Sequence, residues 1–122
     1  MRYFLLALAS IAVLFACTSK RLTATWDPTR DPDPRWAHID SLASLGQFAS
    51  ALSATDTMLE EAHAKGDMQL EFRALMNHAH FKQLTGTEEP EIIAELEDRA
   101  KSAEFPLTQL LHSVIGEQYW SY

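Results

Sequence analysis

The chain has 122 residues, enough for one small domain and little more. Hydrophobic residues make up 47% and charged residues 22%, which excludes a disordered chain, while four glycines and five prolines disfavour a turn-rich sandwich. A formal charge of −7 leaves no electrostatic footprint for nucleic acid, and a single cysteine excludes an internal disulfide framework and a multi-cysteine zinc site.

The first 17 residues read MRYFLLALASIAVLFAC. Arg2 supplies a positive start, and the apolar run that follows is too short for the roughly 20 residues of a bilayer-spanning helix but suits a signal peptide. Leu14-Phe15-Ala16-Cys17 resembles the bacterial lipoprotein signal, with Phe15 bulkier than usual for its slot. The resemblance implies diacylglyceryl transfer to the Cys17 thiol and cleavage between Ala16 and Cys17. It also explains an exported protein with one unpaired cysteine, since several acyl chains on one residue anchor stably where one is marginal. Cleavage removes only Arg2 among the charges and leaves nine Lys and Arg against 17 Asp and Glu, or −8. Such a surface is repelled by anionic headgroups, so the lipid must hold it. Thr18 follows the cysteine, which by resemblance to enterobacterial sorting implies the periplasmic face of the outer membrane.

Residues 18–35 interleave Pro28, Pro32 and Pro34 with Asp27, Asp31 and Asp33. The prolines bar a helix from running through, so this segment is expected to be an extended, solvated tether. The aspartates lack the glycine and terminal glutamate of a calcium loop. From Trp36 onward the apolar spacing is helical. Trp36, Ile39, Leu42 and Ala43 form a first stripe that ends at Gly46, and Phe48, Leu52, Thr55, Leu59 and Ala62 form a second, closed by Lys65-Gly66. Asp67 can cap a third helix with Phe72, Leu75, Met76 and Ala79 on one face. Thr87, with Glu88, Glu89 and Pro90, signals a fourth N-terminus, followed by Ile92, Leu96, Ala100 and Ala103. Pro106 opens a fifth helix carrying Leu107, Leu110, Leu111, Val114 and Ile115. The expected fold is therefore all-α, about five antiparallel helices in a hairpin array. Residues 45–52 resemble the turn of a tetratricopeptide repeat, although the full repeat signature is absent.

Chemistry-bearing patterns are sparse. His78 and His80 lie two apart and point roughly 200° apart on a helix, so they cannot share a metal. A cross-helix site with His63 is geometrically open but lacks a neighbouring carboxylate at helical spacing, and His38 and His112 stand alone. Phosphate-loop and nucleophile-elbow motifs are missing, and the only thiol is committed to lipid. Glu60-Glu61, Glu88-Glu89 and Glu95-Glu97-Asp98 read as solvated helix faces. No enzyme activity, metal or cofactor is expected. The chain closes on Tyr119, Trp120 and Tyr122 with no capping glycine or polar tail. These aromatics either close back on Trp36 or Phe48 or form an interaction surface for a covering helix.

Trp36-Ala37-His38-Ile39-Asp40-Ser41-Leu42, Gly46, Ser50-Ala51-Leu52, Phe72-Arg73-Ala74-Leu75-Met76-Asn77-His78, Ala103-Glu104-Phe105-Pro106, Leu110-Leu111-His112-Ser113 and Tyr119-Trp120 follow one another in order. Together they resemble the N-terminal helical region of Bacteroidetes alpha-2-macroglobulin-family lipoproteins. The resemblance implies a tethered helical segment ahead of β-sandwich domains, a bait region and often a Cys-x-Glu-Gln thioester that together inhibit endopeptidases. This chain contains neither bait nor thioester, so no inhibitory residue carries over. The expected organisation is a signal peptide over residues 1–16, a lipidated Cys17 and linker over 17–35, and a helical domain over 36–122 that continues beyond the chain. Its expected partners are the membrane, through the lipid, and a protein or the remaining domains, with proteases reached only through those domains. The alternative is a free-standing envelope lipoprotein of helical repeats that acts as an adaptor.

Overall fold

A computed structural model describes residues 27, 29, 30 and 32–121, without the side chain of residue 121. Ala16, Cys17 and Tyr122 lie outside the described residues. The fold is all-α: α1 (Arg35–Ser44), α2 (Phe48–Lys65), α3 (Met68–Leu84), α4 (Glu89–Ser102) and α5 (Leu107–Ser121), with no strand among the described residues. None of these helices is long and apolar enough to cross a membrane.

The first three connections share one device. After α2, Gly66 takes φ +66°, its N–H bonds to His63 O at 3.1 Å, and the Asp67 N–H reaches Ala62 O at 2.9 Å. Only a residue without a Cβ turns the chain left-handed there without strain, and the paired bonds satisfy two carbonyls that the helix end orphans. The same pair of bonds recurs at Gly46 after α1 and at Gly86 after α3. Asp67 then caps α3, accepting the Leu70 N–H at 3.2 Å. Tight turns of this kind fold each helix back along its predecessor. Helix α2 packs most extensively on α3, followed by α4 on α5 and α1 on α2, and α3 also reaches both α4 and α5.

One helix boundary and one buried face differ from the sequence expectation. The α4 N-cap is Glu88 rather than Thr87, and it makes no side-chain capping bond. The Thr87 N–H is already committed to closing α3, bonding Lys82 O at 2.9 Å. The acidic first turn and Pro90 carry the start instead. The apolar face predicted for α3 is also too narrow. Leu75 is buried, but Phe72, Met76 and Ala79 are only half-buried, while Met68, Glu71, Ala74 and Phe81 are buried in addition. A helix with neighbours on two sides buries more than one stripe.

The core joins Trp36 and Ile39 of α1, Met58 and Leu59 of α2, Leu75 and Phe81 of α3, Ile92 and Leu96 of α4, and Leu111 and Ile115 of α5. Over Trp36 lies the Arg73 guanidinium, 4.5 Å from the ring centroid, so a cation–π contact ties α1 to α3. Thr55, fully buried in α2, gives its hydroxyl proton to Ala51 O at 2.8 Å.

The end of the linker stays exposed, as expected, but it is docked on the helices rather than free. Arg30 grips Asp67 with two parallel bonds of 2.8 and 2.7 Å. The Gln69 amide pairs with the Asp27 backbone, accepting its N–H at 3.1 Å and donating to its carbonyl at 2.8 Å. A bidentate guanidinium–carboxylate pair is stronger and more directional than an ordinary surface ion pair. The Arg30 N–H turns back to Asp27 O at 3.3 Å, Pro34 takes a helical conformation ahead of α1, and the two clamps lay the segment against the start of α3. Further on, Asp33 accepts both the Arg35 backbone N–H at 2.9 Å and the Arg35 guanidinium. Those bonds hold its carboxyl at about 2.

Two outcomes check this packing. Leu111→Ala removes a fully buried side chain at the α5 seam and is expected to cost about 2–5 kcal/mol in urea unfolding. Asp33 has a lowered native pKa, so its contribution is present above the ordinary carboxylate range and lost as pH falls through about 2. The Asp33→Asn variant should therefore lose less stability than the parent between pH 4 and pH 2, measured by circular dichroism.

Candidate functional site

Between α2 and α4, floored by α3, runs a groove of about 790 Å³. The backbones of α2 and α4 nowhere approach closely, so side chains span the gap. At its centre stands His78 of α3, with Nδ1 2.6 Å from Asp56 Oδ1 on α2 and Nε2 3.0 Å from Glu95 Oε2 on α4. Both ring nitrogens thus face carboxylate oxygens. One turn along α3, Lys82 bonds the other oxygen of Glu95. Burial pushes the Glu95 carboxyl up, but the Lys82 ammonium and the His78 ring more than offset it and hold it below its ordinary value.

A second tie lies at the far end of the groove. Arg99 of α4 donates to Glu60 of α2 at 2.8 Å and lies 3.8 Å from the buried carboxylate of Glu71 on α3. Glu71 is met from the other side by His63 Nδ1 at 2.8 Å. The floor between these ties is apolar, formed by Leu59, Leu75, Ile92 and Leu96. The result is a trough with acidic walls above the buried core, bridged once by His78 of α3 and once by Arg99 of α4.

The histidines are thus separated. His63 turns to Glu71, His78 to its two carboxylates, and His80 lies exposed with its ring centroid 5.7 Å from that of Phe81. His38 and His112 are exposed on α1 and α5. Among the described residues no group of three or more His, Cys, Asp or Glu side chains is placed to hold a metal ion. The acidic runs divide. Asp98 and Glu60 keep side chains 84% and 70% exposed, as a solvated face should, but Glu95 is drawn into the groove by Lys82 and His78.

At the chain's aromatic end, Tyr119 and Trp120 are 56% and 93% exposed and do not close back on Trp36 or Phe48. Trp36 is buried beneath Arg73, and α5 makes its contacts with α3 and α4 instead. The Tyr119 hydroxyl donates to Glu97 at 2.8 Å, which raises the phenol above its ordinary value.

Sequence reading missed Asp56 and Glu95 as partners of His78, although a signal was present. Asp56 lies ten residues before Gly66 and His78 twelve after it, while His78 lies eight before Gly86 and Glu95 nine after it. Folding the chain back at each glycine brings both carboxylates level with the ring.

No family model matches the chain, and neither a curated protein nor a solved structure does.

Truncating His78 leaves Asp56 without its donor and Glu95 with Lys82 alone. His78→Ala is expected to lower stability by about 1–3 kcal/mol in urea unfolding. The exposed His80→Ala should stay within about 0.5 kcal/mol of the parent.

Proposed function

We propose that this chain is a membrane-tethered helical docking module of the cell envelope, held by lipid on Cys17 and working through protein contact rather than bond chemistry. The observation that carries the reading is the α2–α4 groove, a cleft over the buried core whose walls no backbone contact closes. Concave, largely apolar clefts with a few placed polar groups are where proteins take ligands. The Arg30–Asp67 clamp supports the tethered half of the reading, because it fixes where the segment leading back to Cys17 leaves the domain. From Cys17 to Asp27 is at most about 35 Å of extended chain, so the helices would ride close to the membrane.

A second reading keeps the alpha-2-macroglobulin resemblance, with the helices as the anchoring and positioning segment of a periplasmic endopeptidase inhibitor. The exposed Tyr119 and Trp120 favour it, since a following domain would cover them. On that reading an envelope blot shows a product far above 13.8 kDa.

Two results test the docking module. Cys17→Ala should shift the protein from the membrane to the soluble fraction and abolish labelling by radioactive palmitate, and retention in the membrane would remove the tether. A photo-crosslinking residue at Ala94, in the groove, should give adducts in intact cells, whereas one at the exposed Ser113 of α5 should not. Equal yields at both positions would remove the groove as the working surface.

A further inference from the structure

We propose that His78 is a pH-operated latch across the α2–α4 groove, closed when its ring carries two protons and open when it carries one. The two ring nitrogens reach different helices, Nδ1 lying 2.6 Å from Asp56 Oδ1 on α2 and Nε2 3.0 Å from Glu95 Oε2 on α4. An imidazolium has an N–H on each nitrogen and can donate to both carboxylates. A neutral imidazole has one N–H, and its bare nitrogen sets a lone pair against the other carboxylate. Ionised carboxylates only accept, so that contact turns from attraction to repulsion. The His78 side chain is 17% exposed, which lets water exchange its proton while partial burial makes the lost bond costly.

The neighbours decide which contact is lost. Burial pushes the Glu95 carboxyl up, but the Lys82 and His78 bonds outweigh burial and hold it below its ordinary value. Glu95 therefore remains an acceptor where imidazole titrates, and it keeps Lys82 on its other oxygen. Asp56 meets no other donor among the described residues, so the single proton of a neutral ring belongs on Nδ1. The bond to α4 is then the one that breaks. The remaining charged groups do not replace it. Lys82 is shared with Glu91 at 3.9 Å, and Glu60 of α2 is paired with Arg99. On α5, the other helix against α3, His112, Glu117 and Tyr119 are all exposed. His63 needs only one N–H for Glu71, which also has Arg99 at 3.8 Å. The latch is whole in acid and lost as pH rises through the imidazole range, ordinarily about pH 5 to 8. Arg99 keeps its charge throughout, so the groove loosens from the His78 end. As control of docking, the latch rests on the reading above, but its movement is measured with no partner present.

The test is electron–electron resonance between nitroxide labels at Thr57 and Ala94 in the full chain carrying Cys17→Ala. These exposed positions adjoin Asp56 and Glu95. The distance distribution should be narrow at about pH 5 and gain a longer component at about pH 8.5. Its midpoint should match the loss of the second ring proton, read from the nitrogen-15 shifts of His78. His78→Gln has no titrating ring and should give one distribution at both pH values, while His63→Gln should respond as the parent does. An unchanged helical circular dichroism signal across the range separates loosening from unfolding. A distribution that stays fixed while the ring loses its proton would overturn the latch. So would a ring that keeps both protons at about pH 8.5, a response that survives in His78→Gln, or loss of the helical signal. If the width responds to pH while Ala94 crosslinks fail in cells, the latch stands and the docking reading falls. If crosslinks form and the width does not respond, the latch alone falls.

Discussion

A helix that must serve two neighbours is the constraint on which this structure depends. Helix α3 packs against α2 on one side and reaches α4 and α5 on the other, while α2 and α4 do not approach each other. Apolar contact through α3 sets their order, but it leaves their separation to longer side chains. His78, Lys82 and Arg99 supply that reach, each ending on a carboxylate of a neighbouring helix. The half-buried setting matters here. An exposed ion pair contributes little, but charges that are partly desolvated and paired in a network hold a geometry more firmly. Thus the trough keeps its width without being filled.

How much of this was legible in the sequence follows from the range of each interaction. Helix existence rests on spacing within the chain, so Trp36 with Ile39, or Leu107 with Leu111 and Ile115, were readable, as were the glycine stops at Gly46 and Gly66. The Asp67 cap was readable for the same reason, since it acts three residues along. Thr87 failed because two local roles competed for one residue: its N–H closes α3, leaving Glu88 to begin α4. Burial on α3 was under-read because helical periodicity reports one face, whereas the number of neighbours is a tertiary fact.

Charged residues were hardest to place. The same run of acids contains Asp98, which faces water, and Glu95, which meets Lys82 and His78, and nothing within the run separates them. Only the register of two hairpins does so, and that register follows from the glycines at which the chain folds back. The linker teaches the same point in reverse. Its prolines and aspartates read as solvated, yet Arg30 finds Asp67 and Asp27 finds Gln69 once α3 is in place. Neither the turn from Arg30 back to Asp27 nor the docking was legible. The membrane address rests on residues 1–17 alone, and no feature of the helices depends on it.

His78 and Arg99, rather than backbone packing, hold α2 and α4 at the width of the groove. Electron–electron resonance between nitroxide labels at Thr57 and Ala94, exposed positions on α2 and α4, reads that width in the Cys17→Ala background. A single narrow distance distribution is expected in the otherwise native chain, broadening clearly in the His78→Ala/Arg99→Ala variant while the helical circular dichroism signal persists. An equally narrow distribution at the same distance in that variant would contradict the account, because packing through α3 alone would then set the groove.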